Sequence, residues 1–422
     1  MSAYDLVVRG GQVVTPAGVV AADVGVADGL VAAVEPDLAG GREELDATGL
    51  HVLPGGLDPH VHFNEPGRTH WEGFATGTAA LAAGGFTAFF DMPLNSSPPV
   101  VDGAAFDAKL AAARASAVVD YGLWGGIVPG NRDRLEELAE RGVVGFKAFM
   151  SDSGIADFPR ADDVTLYEGM AEAARLGRIV AVHAENDALT SRRRGTTARD
   201  WLDSRPEIAE LEAIGRAIAF AADTGCALHV VHVSCARGVD LVTAARDRGV
   251  DVTCETCPHY LVLSPADVEA LGPVAKCAPP VRAEPGLWER LGELQLIASD
   301  HSPSSPGLKA GAFGDAWGGI AGAQTTRTLL ADLDVAELAR LTAAGAAERF
   351  RIAGKGRIEP GADADLALLA LGEAHVLRAE DLRYRHRISP YIGRRLPARV
   401  VRTLLRGAEV YPEPRGRPRL LT

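Results

Sequence analysis

Two histidines that are two residues apart, His60 and His62, occur in the segment LPGGLDPHVHFNEPGR. On an extended chain alternate side chains point to the same face, so both imidazoles project together while Val61 points away. Two convergent imidazole nitrogens are ligands that zinc and similar metals prefer. For an isolated pair of this kind, the alternative is a hydrogen-bonded histidine pair in a loop. The pair follows an apolar strand, however, and in a barrel fold that position favours an active site.

Lys147 lies in the apolar segment GVVGFKAFM, which offers no acidic partner in the same strand. Burial of an unpaired ammonium is costly and favours the neutral amine. A neutral amine can take up carbon dioxide and become a carbamate, an anionic oxygen ligand that can bridge two metals. The alternatives are a lysine that extends its amine to solvent and a lysine that pairs with a distant carboxylate.

Three further polar residues end apolar segments: His183 closes RIVAVHAEN, His232 closes ALHVVHVS, and Asp300 follows LQLIAS. Asp300 is a candidate metal ligand, general base or both, or else a helix N-cap. His229 lies three residues before His232, so strict alternation predicts that it faces the helices on the opposite side of the strand. Five of the candidates lie near the carboxyl end of a predicted strand and Lys147 lies within one, which together indicates a two-metal hydrolase site. The set is His60, His62, Lys147, His183, His232 and Asp300.

The candidates come from a middle region that alternates short apolar segments with Ala-rich amphipathic stretches. Eight such alternations predict an α/β fold, a TIM-type (β/α)8 barrel. A doubly wound open sheet is the alternative, but the sequence has neither GxGxxG after a strand nor GxxxxGK[ST]. The predicted strands are 53–57, 87–91, 121–127, 144–149, 179–182, 228–233, 252–255 and 296–299.

Both ends of the chain contain short alternating apolar runs separated by glycine, which predict hairpin strands. Neither end is long enough for a core of its own. We therefore expect the two ends to combine into one small β-sandwich domain into which the barrel is inserted. The predicted boundaries are 1–53 and 351–422 for the small β domain and 54–350 for the barrel.

The composition is that of a globular protein, with 47% hydrophobic and 23% charged residues in 422. The formal net charge of −13 and the lack of a basic stripe argue against nucleic acid and anionic membranes as partners. No apolar run approaches the roughly 20 residues that span a bilayer, and the first residues lack a signal-peptide layout, so we expect a cytoplasmic protein. The five cysteines are expected to be reduced thiols. Only five of the 43 basic residues are lysines, so each merits separate attention: Lys109, Lys147, Lys276, Lys309 and Lys355.

The six candidates and their order resemble the cyclic amidohydrolases of the amidohydrolase superfamily, and the resemblance covers most of the chain. Within that group, several long segments are similar to the allantoinases. These segments are DPHVHFNEPGRTHWEGF, DMPLNSSPPV, GFKAFMSDSG, ETCPHYL, KCAPPVR, SDHSPSSPGLKAG and AWGGIAGAQ. The resemblance implies hydrolysis of the hydantoin-ring amide of allantoin to allantoate, with a carboxylated Lys147.

The resemblance also implies a site with two divalent metal ions, zinc by default and cobalt, manganese or nickel as alternatives. It implies that Asp300 relays a proton from the attacking hydroxide to the leaving ring nitrogen. The implied grouping is His60, His62 and Asp300 on one metal and His183 and His232 on the other, bridged by the Lys147 carbamate and a hydroxide.

Contacts to a small ureide substrate are expected from Cys277 in KCAPPVR and Ser302 in SDHSP, and Asn95 is a further candidate. His259 and Tyr260 are expected to support or pack against the site. Members of the family often form homotetramers, which is the expected assembly.

Two neighbouring activities differ from the expected one in specific residues. Dihydroorotases usually carry arginine two residues after the histidine pair, where this chain has Asn64, and they read MPNT where this chain has MPLNS. Hydantoinases and dihydropyrimidinases, the alternative function, usually have a tyrosine in the loop after the lysine strand, and residues 150–159 contain none. A non-catalytic scaffold usually loses metal ligands, whereas all six candidates are present.

Overall fold

In a computed structural model of the chain, residues 3–190, 195–283 and 285–422 are described. Strands dominate both ends of the chain, and the middle alternates strands with helices. The strands are β1 (Leu6–Thr15), β2 (Gly18–Ala27), β3 (Leu30–Glu35), β4 (Glu43–Asp46), β5 (His51–Pro54), β6 (Gly56–Val61), β7 (Phe86–Asp91), β8 (Asp120–Leu123), β9 (Gly125–Gly126), β10 (Gly145–Phe149), β11 (Ile179–His183), β12 (Leu228–Val230), β13 (Val252–Thr256), β14 (Leu296–Ile297), β15 (Leu366–Val376), β16 (Arg395–Leu405) and β17 (Ala408–Tyr411). The α-helices are α1 (Phe74–Ala83), α2 (Gly103–Ser116), α3 (Leu135–Glu140), α4 (Asp163–Arg175), α5 (Asp187–Thr190), α6 (Ala198–Ser204), α7 (Glu207–Thr224), α8 (Ala236–Asp247), α9 (Pro258–Val262), α10 (Pro265–Leu271), α11 (Thr326–Leu329), α12 (Val335–Ala339) and α13 (Gly345–Arg349).

The two ends of the chain share one sheet. Its order is β17-β16-β15-β5-β1-β2-β3, with β4 paired to β1. The link between the ends is antiparallel pairing of β15 with β5, in which Leu366 lies opposite Pro54 and Leu369 opposite His51. Alternate apolar residues on β1, β2 and β15, among them Val8, Val24 and Leu368, form a buried cluster on one face of this sheet. Burial of this face holds the first and last segments together.

The middle of the chain supplies parallel strands in the sequence order β6-β7-β8 and β9-β10-β11-β12-β13-β14. Only Trp124 separates β8 from β9, and its N–H donates to the Asp91 carbonyl at 3.1 Å, so the pairing continues across the break. At the other edge, Val61 and His301 form a parallel bridge. The carboxyl ends of all these strands therefore lie on one side of the molecule, as parallel pairing requires.

The helices pack their apolar faces on the outside of these strands. In α7, buried alanines and isoleucines recur at helical spacing, for example Ala213, Ile214, Ala217 and Ile218. Each fully buried isoleucine contributes about 1.5–3 kcal/mol of burial free energy. The helix ends at Gly225, whose φ of 69° is the left-handed conformation that glycine adopts without a steric penalty. This packing fixes the position of the strand ends from the outside.

The predicted strand positions agree with the structure within a few residues except at the first strand. The prediction of 53–57 is wrong there, because β5 ends at Pro54 in the terminal sheet and the parallel strand β6 begins at Gly56. The chain changes sheets at Gly55, where a Cβ atom would lie only 2.3 Å from Thr87 Oγ1. Such a close approach requires glycine, so the change of sheet is a local steric feature that apolar patterning does not reveal.

Within the described ranges, no helix is long and apolar enough to cross a membrane. All five cysteines are buried free thiols, including Cys254 and Cys257 of the CxxC sequence.

A buried ion cluster connects the terminal sheet to the parallel strands. Lys355 Nζ lies 2.6 Å from a carboxylate oxygen of Asp120, which begins β8, and 2.6 Å from one of Asp365, which precedes β15. Asp363 lies 2.9 Å from the same ammonium. Arg406 adds a second cation to Asp120 at 2.5 Å. Three buried carboxylates therefore depend on these cations for compensation of their desolvation.

We expect Lys355→Met to lower the free energy of unfolding by about 3–5 kcal/mol, because removal of one partner leaves buried carboxylates uncompensated. Denaturant unfolding followed by circular dichroism measures the change. The matched control is Arg399→Met, which removes an exposed cation 2.8 Å from Glu373 and should change stability by about 1 kcal/mol or less. Equal effects of the two substitutions would show that the buried cluster has no special role.

Candidate metal centre and active site

A pocket of about 560 Å³ opens at the carboxyl ends of the parallel strands. It contains polar side chains from several strand ends and from the loops that follow them. Five of the six candidate ligands line the pocket, namely His60, His62, His183, His232 and Asp300. The sixth, Lys147 on β10, is fully buried.

The first group of ligand atoms comes from His60 in β6, from His62 directly after this strand, and from Asp300. Asp300 Oδ1 lies 3.3 Å from His60 Nε2 and 3.4 Å from His62 Nε2. One ligand atom from each of these three residues lies within 4.8 Å of the other two. Burial alone would raise the pKa of Asp300, but His60, His62 and His232 hold it well below its ordinary value. Asp300 is thus a carboxylate that faces two imidazoles.

The second group is a pair of imidazoles. His183 Nδ1 lies 3.0 Å from His232 Nε2. His183 Nε2 lies 2.9 Å from Glu185 Oε2 and donates to it, so Nδ1 carries the lone pair that faces His232. Burial lowers the pKa of both histidines, most strongly that of His232, which keeps them neutral. Two neutral imidazoles whose nitrogens converge are suited to a metal ion.

Lys147 has no hydrogen-bond partner for its Nζ atom among the described residues. Its Nζ lies 5.2 Å from the centroid of the Phe149 ring. Burial lowers the pKa of Lys147 to about 7, and the negative charges of Glu255 and Asp300 offset only part of this effect. A large fraction of this amine is therefore neutral and nucleophilic near pH 7.

Together these donors fit two divalent metal ions. Neutral imidazole nitrogens and a carboxylate oxygen are ligands that zinc, cobalt, manganese and nickel accept. The buried Lys147 amine fits conversion to an anionic ligand, since no described residue accepts a hydrogen bond from it.

Glu255 on β13 was not among the candidates, yet it contacts both histidine groups. Its Oε1 lies 2.5 Å from His60 Nδ1 and accepts from the His232 backbone N–H at 3.3 Å. Its Oε2 lies 3.0 Å from His229 Nε2. Burial alone would raise the pKa of Glu255, but the two histidines lower it to about 2. The carboxylate therefore orients the His60 ring so that Nε2 faces Asp300.

The prediction that His229 faces the helices is wrong. Its ring lies on the inner side with Glu255, and its Nδ1 is 2.8 Å from Thr253 Oγ1. Strict alternation fails because β12 ends at Val230 and His232 adopts a left-handed φ of 42°. The sequence signal for Glu255 was a single carboxylate inside the apolar segment VTCETC, which is costly to bury without a partner.

Glu185 is the corresponding carboxylate behind His183. It is fully buried and pairs with Arg205, whose guanidinium lies 4.4 Å from the Trp201 ring centroid. Burial would raise the pKa of Glu185, but Arg205 and His183 lower it to about 2. Trp201 and Arg205 also line the pocket, so this ion pair joins a candidate ligand to the pocket wall.

The three candidate substrate contacts, Ser302, Cys277 and Asn95, all line the same pocket. Asn95 Nδ2 donates to Ser302 Oγ at 3.4 Å. Burial raises the pKa of the Cys277 thiol to about 12, so this residue stays protonated, and its carbonyl accepts from Trp201 Nε1 at 2.9 Å.

The supporting residues lie deeper. Tyr260 is buried and donates its hydroxyl to the Pro279 carbonyl at 2.8 Å, and His259 is buried beside it with a ring distance of 4.2 Å. Asn64 donates its amide to the Pro303 carbonyl at 3.2 Å, and Arg68 donates to the Asn95 carbonyl at 3.0 Å. Asn64 and Arg68 therefore connect the loop after β6 to two other pocket segments.

Comparison with known proteins places the chain. The amidohydrolase family matches residues 51–410. The chain belongs to the amidohydrolase family. It is 60% identical to an allantoinase of Rubrobacter xylanophilus, across 97% of this chain and 95% of that protein, and 52% identical to one of Solibacter usitatus, across 96% and 93%. The resemblance predicted from the motifs is thus confirmed.

Solved structures give the same fold. The L-hydantoinase (dihydropyrimidinase) from Arthrobacter aurescens superposes with a TM-score of 0.95 at 32% identity, across 99% of this chain and 100% of that one. The dihydropyrimidinase from Brevibacillus agri gives a TM-score of 0.90 at 32% identity, across 98% and 97%. The predicted mixed α/β fold is confirmed at this level.

Glu255 and Glu185 each support a different group of candidate ligands, and this assignment can be tested. Glu255→Gln should weaken divalent-metal binding by the His60, His62 and Asp300 group, and Glu185→Gln should weaken it by the His183 and His232 pair. A loss of about 10- to 100-fold in affinity is expected for each, since the amide orients its histidine less strongly. Competition with a chelator followed by metal analysis measures the ions retained per chain.

Glu373→Gln, at an exposed glutamate, is the matched control and should retain the parent metal content. The assignment predicts that each site variant loses one ion first and that the double variant loses both. Parent-like retention in both single variants would contradict it.

Proposed function

We propose that this chain hydrolyses the hydantoin-ring amide of allantoin to give allantoate. The observation that carries the proposal is the 60% identity, over nearly the whole chain, to the R. xylanophilus allantoinase. The pocket at the strand ends, with its converging imidazoles and carboxylate, supplies the groups that such a reaction needs. The enzyme is a metal-dependent hydrolase of a cyclic amide.

The proposed cofactors are two divalent metal ions, zinc by default, with cobalt, manganese or nickel as alternatives. His60, His62 and Asp300 would hold one, His183 and His232 the other, and a carbamate of Lys147 would bridge them. When bound, such ions supply an activated water near neutral pH and polarise a carbonyl group. The carbamate forms when the neutral Nζ attacks carbon dioxide, which makes an N–C bond and releases one proton.

Asp300 is the proposed proton carrier. Ring opening adds one water: the hydroxyl goes to the ring carbonyl carbon, and a proton goes to the leaving nitrogen. The Asp300 side chain is 13% exposed and lines the pocket, so it can accept the proton from water and deliver it to that nitrogen. Its lowered pKa keeps it ionised, so it enters the reaction as a carboxylate.

A neutral ureide fits the charges of the pocket better than an anionic ring. The two basic side chains among the described lining residues are Arg205 and Lys276. Arg205 pairs with Glu185, and Lys276 donates to backbone carbonyls. Asn64, where dihydroorotases usually have arginine, binds the Pro303 carbonyl. The two cations of the described pocket thus already compensate other groups, and Ser302, Cys277 and Asn95 are proposed to contact the neutral ring and its ureido group.

The finer architecture is part of the proposal. We propose that the parallel strands close into a (β/α)8 barrel, supported by the Val61–His301 bridge and the His62 N–H that donates to the His301 carbonyl at 2.7 Å. The proposed domains are 54–350 for the barrel and 1–53 with 351–422 for the β-sandwich. A homotetramer and a cytoplasmic location stay predictions.

The substrate prediction is that protein expressed with divalent metal and bicarbonate opens allantoin faster than hydantoin, dihydrouracil or dihydroorotate. Ring opening is followed by colorimetric detection of allantoate and by absorbance for the other rings. Lys147→Ala should abolish turnover with allantoin, and a short-chain carboxylic acid should restore part of it by replacing the carbamate. Preferred opening of hydantoin or dihydrouracil would transfer the assignment to the hydantoinase alternative.

The proton-carrier role predicts that Asp300→Asn lowers kcat by about 10²- to 10⁴-fold, because the amide cannot accept the proton. Metal analysis of the same sample separates this loss from loss of the ions. Full turnover by an Asp300→Asn variant that still binds metal would remove the role.

A further inference from the structure

We infer that Lys276 and Lys309 are positioning residues that set substrate affinity by fixing the loop of residues 305–319 as one wall of the pocket. The inference deepens the proposed function and rests on it for its kinetic test. Neither lysine is a candidate ligand, and both belong to the five lysines of an arginine-rich chain.

The loop follows Asp300 and reaches over the pocket. It contributes a run of wall residues, namely Leu308, Gly314, Asp315, Ala316, Trp317, Gly318 and Gly319. Its regular structure is a single 3-10 turn, Pro306–Lys309, and it has a cross-connection from the Trp317 N–H to the Leu308 carbonyl at 2.8 Å. An irregular segment of this kind loses much conformational entropy on ordering unless other contacts hold it.

The two ammonium groups provide those contacts. Lys276 Nζ donates to the carbonyls of Phe313, Gly314 and Ala316 at 2.9, 2.9 and 2.7 Å. An ammonium has three donors, so all three are used inside the loop. Within the described chain Lys276 forms no salt bridge within 4.0 Å, and its charge is compensated by these carbonyl dipoles.

Lys309 makes a second set from within the loop. Its Nζ donates to the carbonyls of Trp317 at 2.9 Å and Gly319 at 2.5 Å, and to the carbonyl of Pro273, outside the loop, at 3.2 Å. Gly319 N–H in turn donates to the Lys276 carbonyl at 2.7 Å. The loop is thus closed on itself and attached to the segment that carries Cys277.

Trp201 of α6 connects this wall to the metal centre. Lys276 Nζ lies 4.3 Å from the Trp201 ring centroid, and the Arg205 guanidinium lies 4.4 Å from the same ring. Arg205 pairs with Glu185, which contacts His183. The indole packs against two cations, and cation–π contacts of this kind add to the fixation of the wall.

The donors of both lysines are occupied by carbonyls, so neither ammonium is free to contact the substrate or to transfer a proton. The two lysines instead keep the wall ordered before the substrate binds. A preformed wall reduces the entropy that substrate binding must overcome, which raises affinity and leaves the chemical step unchanged.

We expect Lys276→Met and Lys309→Met each to raise KM for allantoin by about tenfold, with kcat within about threefold of the parent, because binding of the substrate and of the transition state is weakened equally. Metal content should equal that of the parent. Hydrogen–deuterium exchange should become faster in residues 305–319 and stay unchanged elsewhere. Arg399→Met, an exposed cation on β16, is the control and should change none of these quantities.

Lys276→Arg and Lys309→Arg keep the charge but offer a planar fork in place of three converging donors, so an intermediate KM is expected. These variants also serve if a methionine variant does not fold. Unchanged KM and unchanged loop exchange would overturn the inference, as would a loss of kcat that follows loss of metal. If the parent enzyme does not open allantoin, the proposed function fails, and the exchange measurement still decides whether the lysines order the loop.

Discussion

The desolvation of Lys147 is the constraint on which the candidate site depends. An ammonium at this depth, without a hydrogen-bond acceptor in the described chain, is unstable relative to a neutral or derivatised amine. The surrounding side chains match that requirement, because Glu255 and Asp300 are ionised while His183 and His232 are neutral. The site is therefore rich in lone pairs and negative charge, which suits divalent cations.

Two buried carboxylates, Glu255 and Glu185, support the candidate ligands through different contacts. Glu255 holds His60 and His229. Glu185 instead pairs with Arg205, and through Trp201 that contact reaches Lys276 and the loop wall. His183 is thus supported by the same contacts that shape the pocket. Substrate binding and the orientation of His183 therefore share Arg205 and Trp201, whereas Glu255 orients His60.

Sequence patterns predict the strands and the candidate ligands because both have local signals: apolar runs indicate strands, and the polar residues that end such runs indicate the pocket. Sequence patterns do not predict features that depend on backbone conformation. His229 faces inward because β12 is short and His232 is left-handed, and β6 begins after Gly55 because the backbone passes close to Thr87. The loop contacts of Lys276 and Lys309 are also not predictable from sequence, because their acceptors are backbone carbonyls, which every residue has.

The use of lysine follows from the same physics. In an arginine-rich chain the five lysines are buried or half-buried, and four of them direct the compact ammonium at acceptors: Lys109 at Asp91, Lys355 at three aspartates, and Lys276 and Lys309 at carbonyls. A guanidinium is planar, so it cannot direct three N–H donors from one nitrogen at closely spaced acceptors. It also does not lose its proton in proteins. Lys147 is the one of the five without an acceptor among the described residues. Carbon dioxide requires a neutral amine, and burial lowers the pKa of both Lys147 and Lys309 to about 7. What distinguishes Lys147 for this chemistry is therefore the absence of an acceptor among the described residues, since the amine of Lys309 is held by carbonyls.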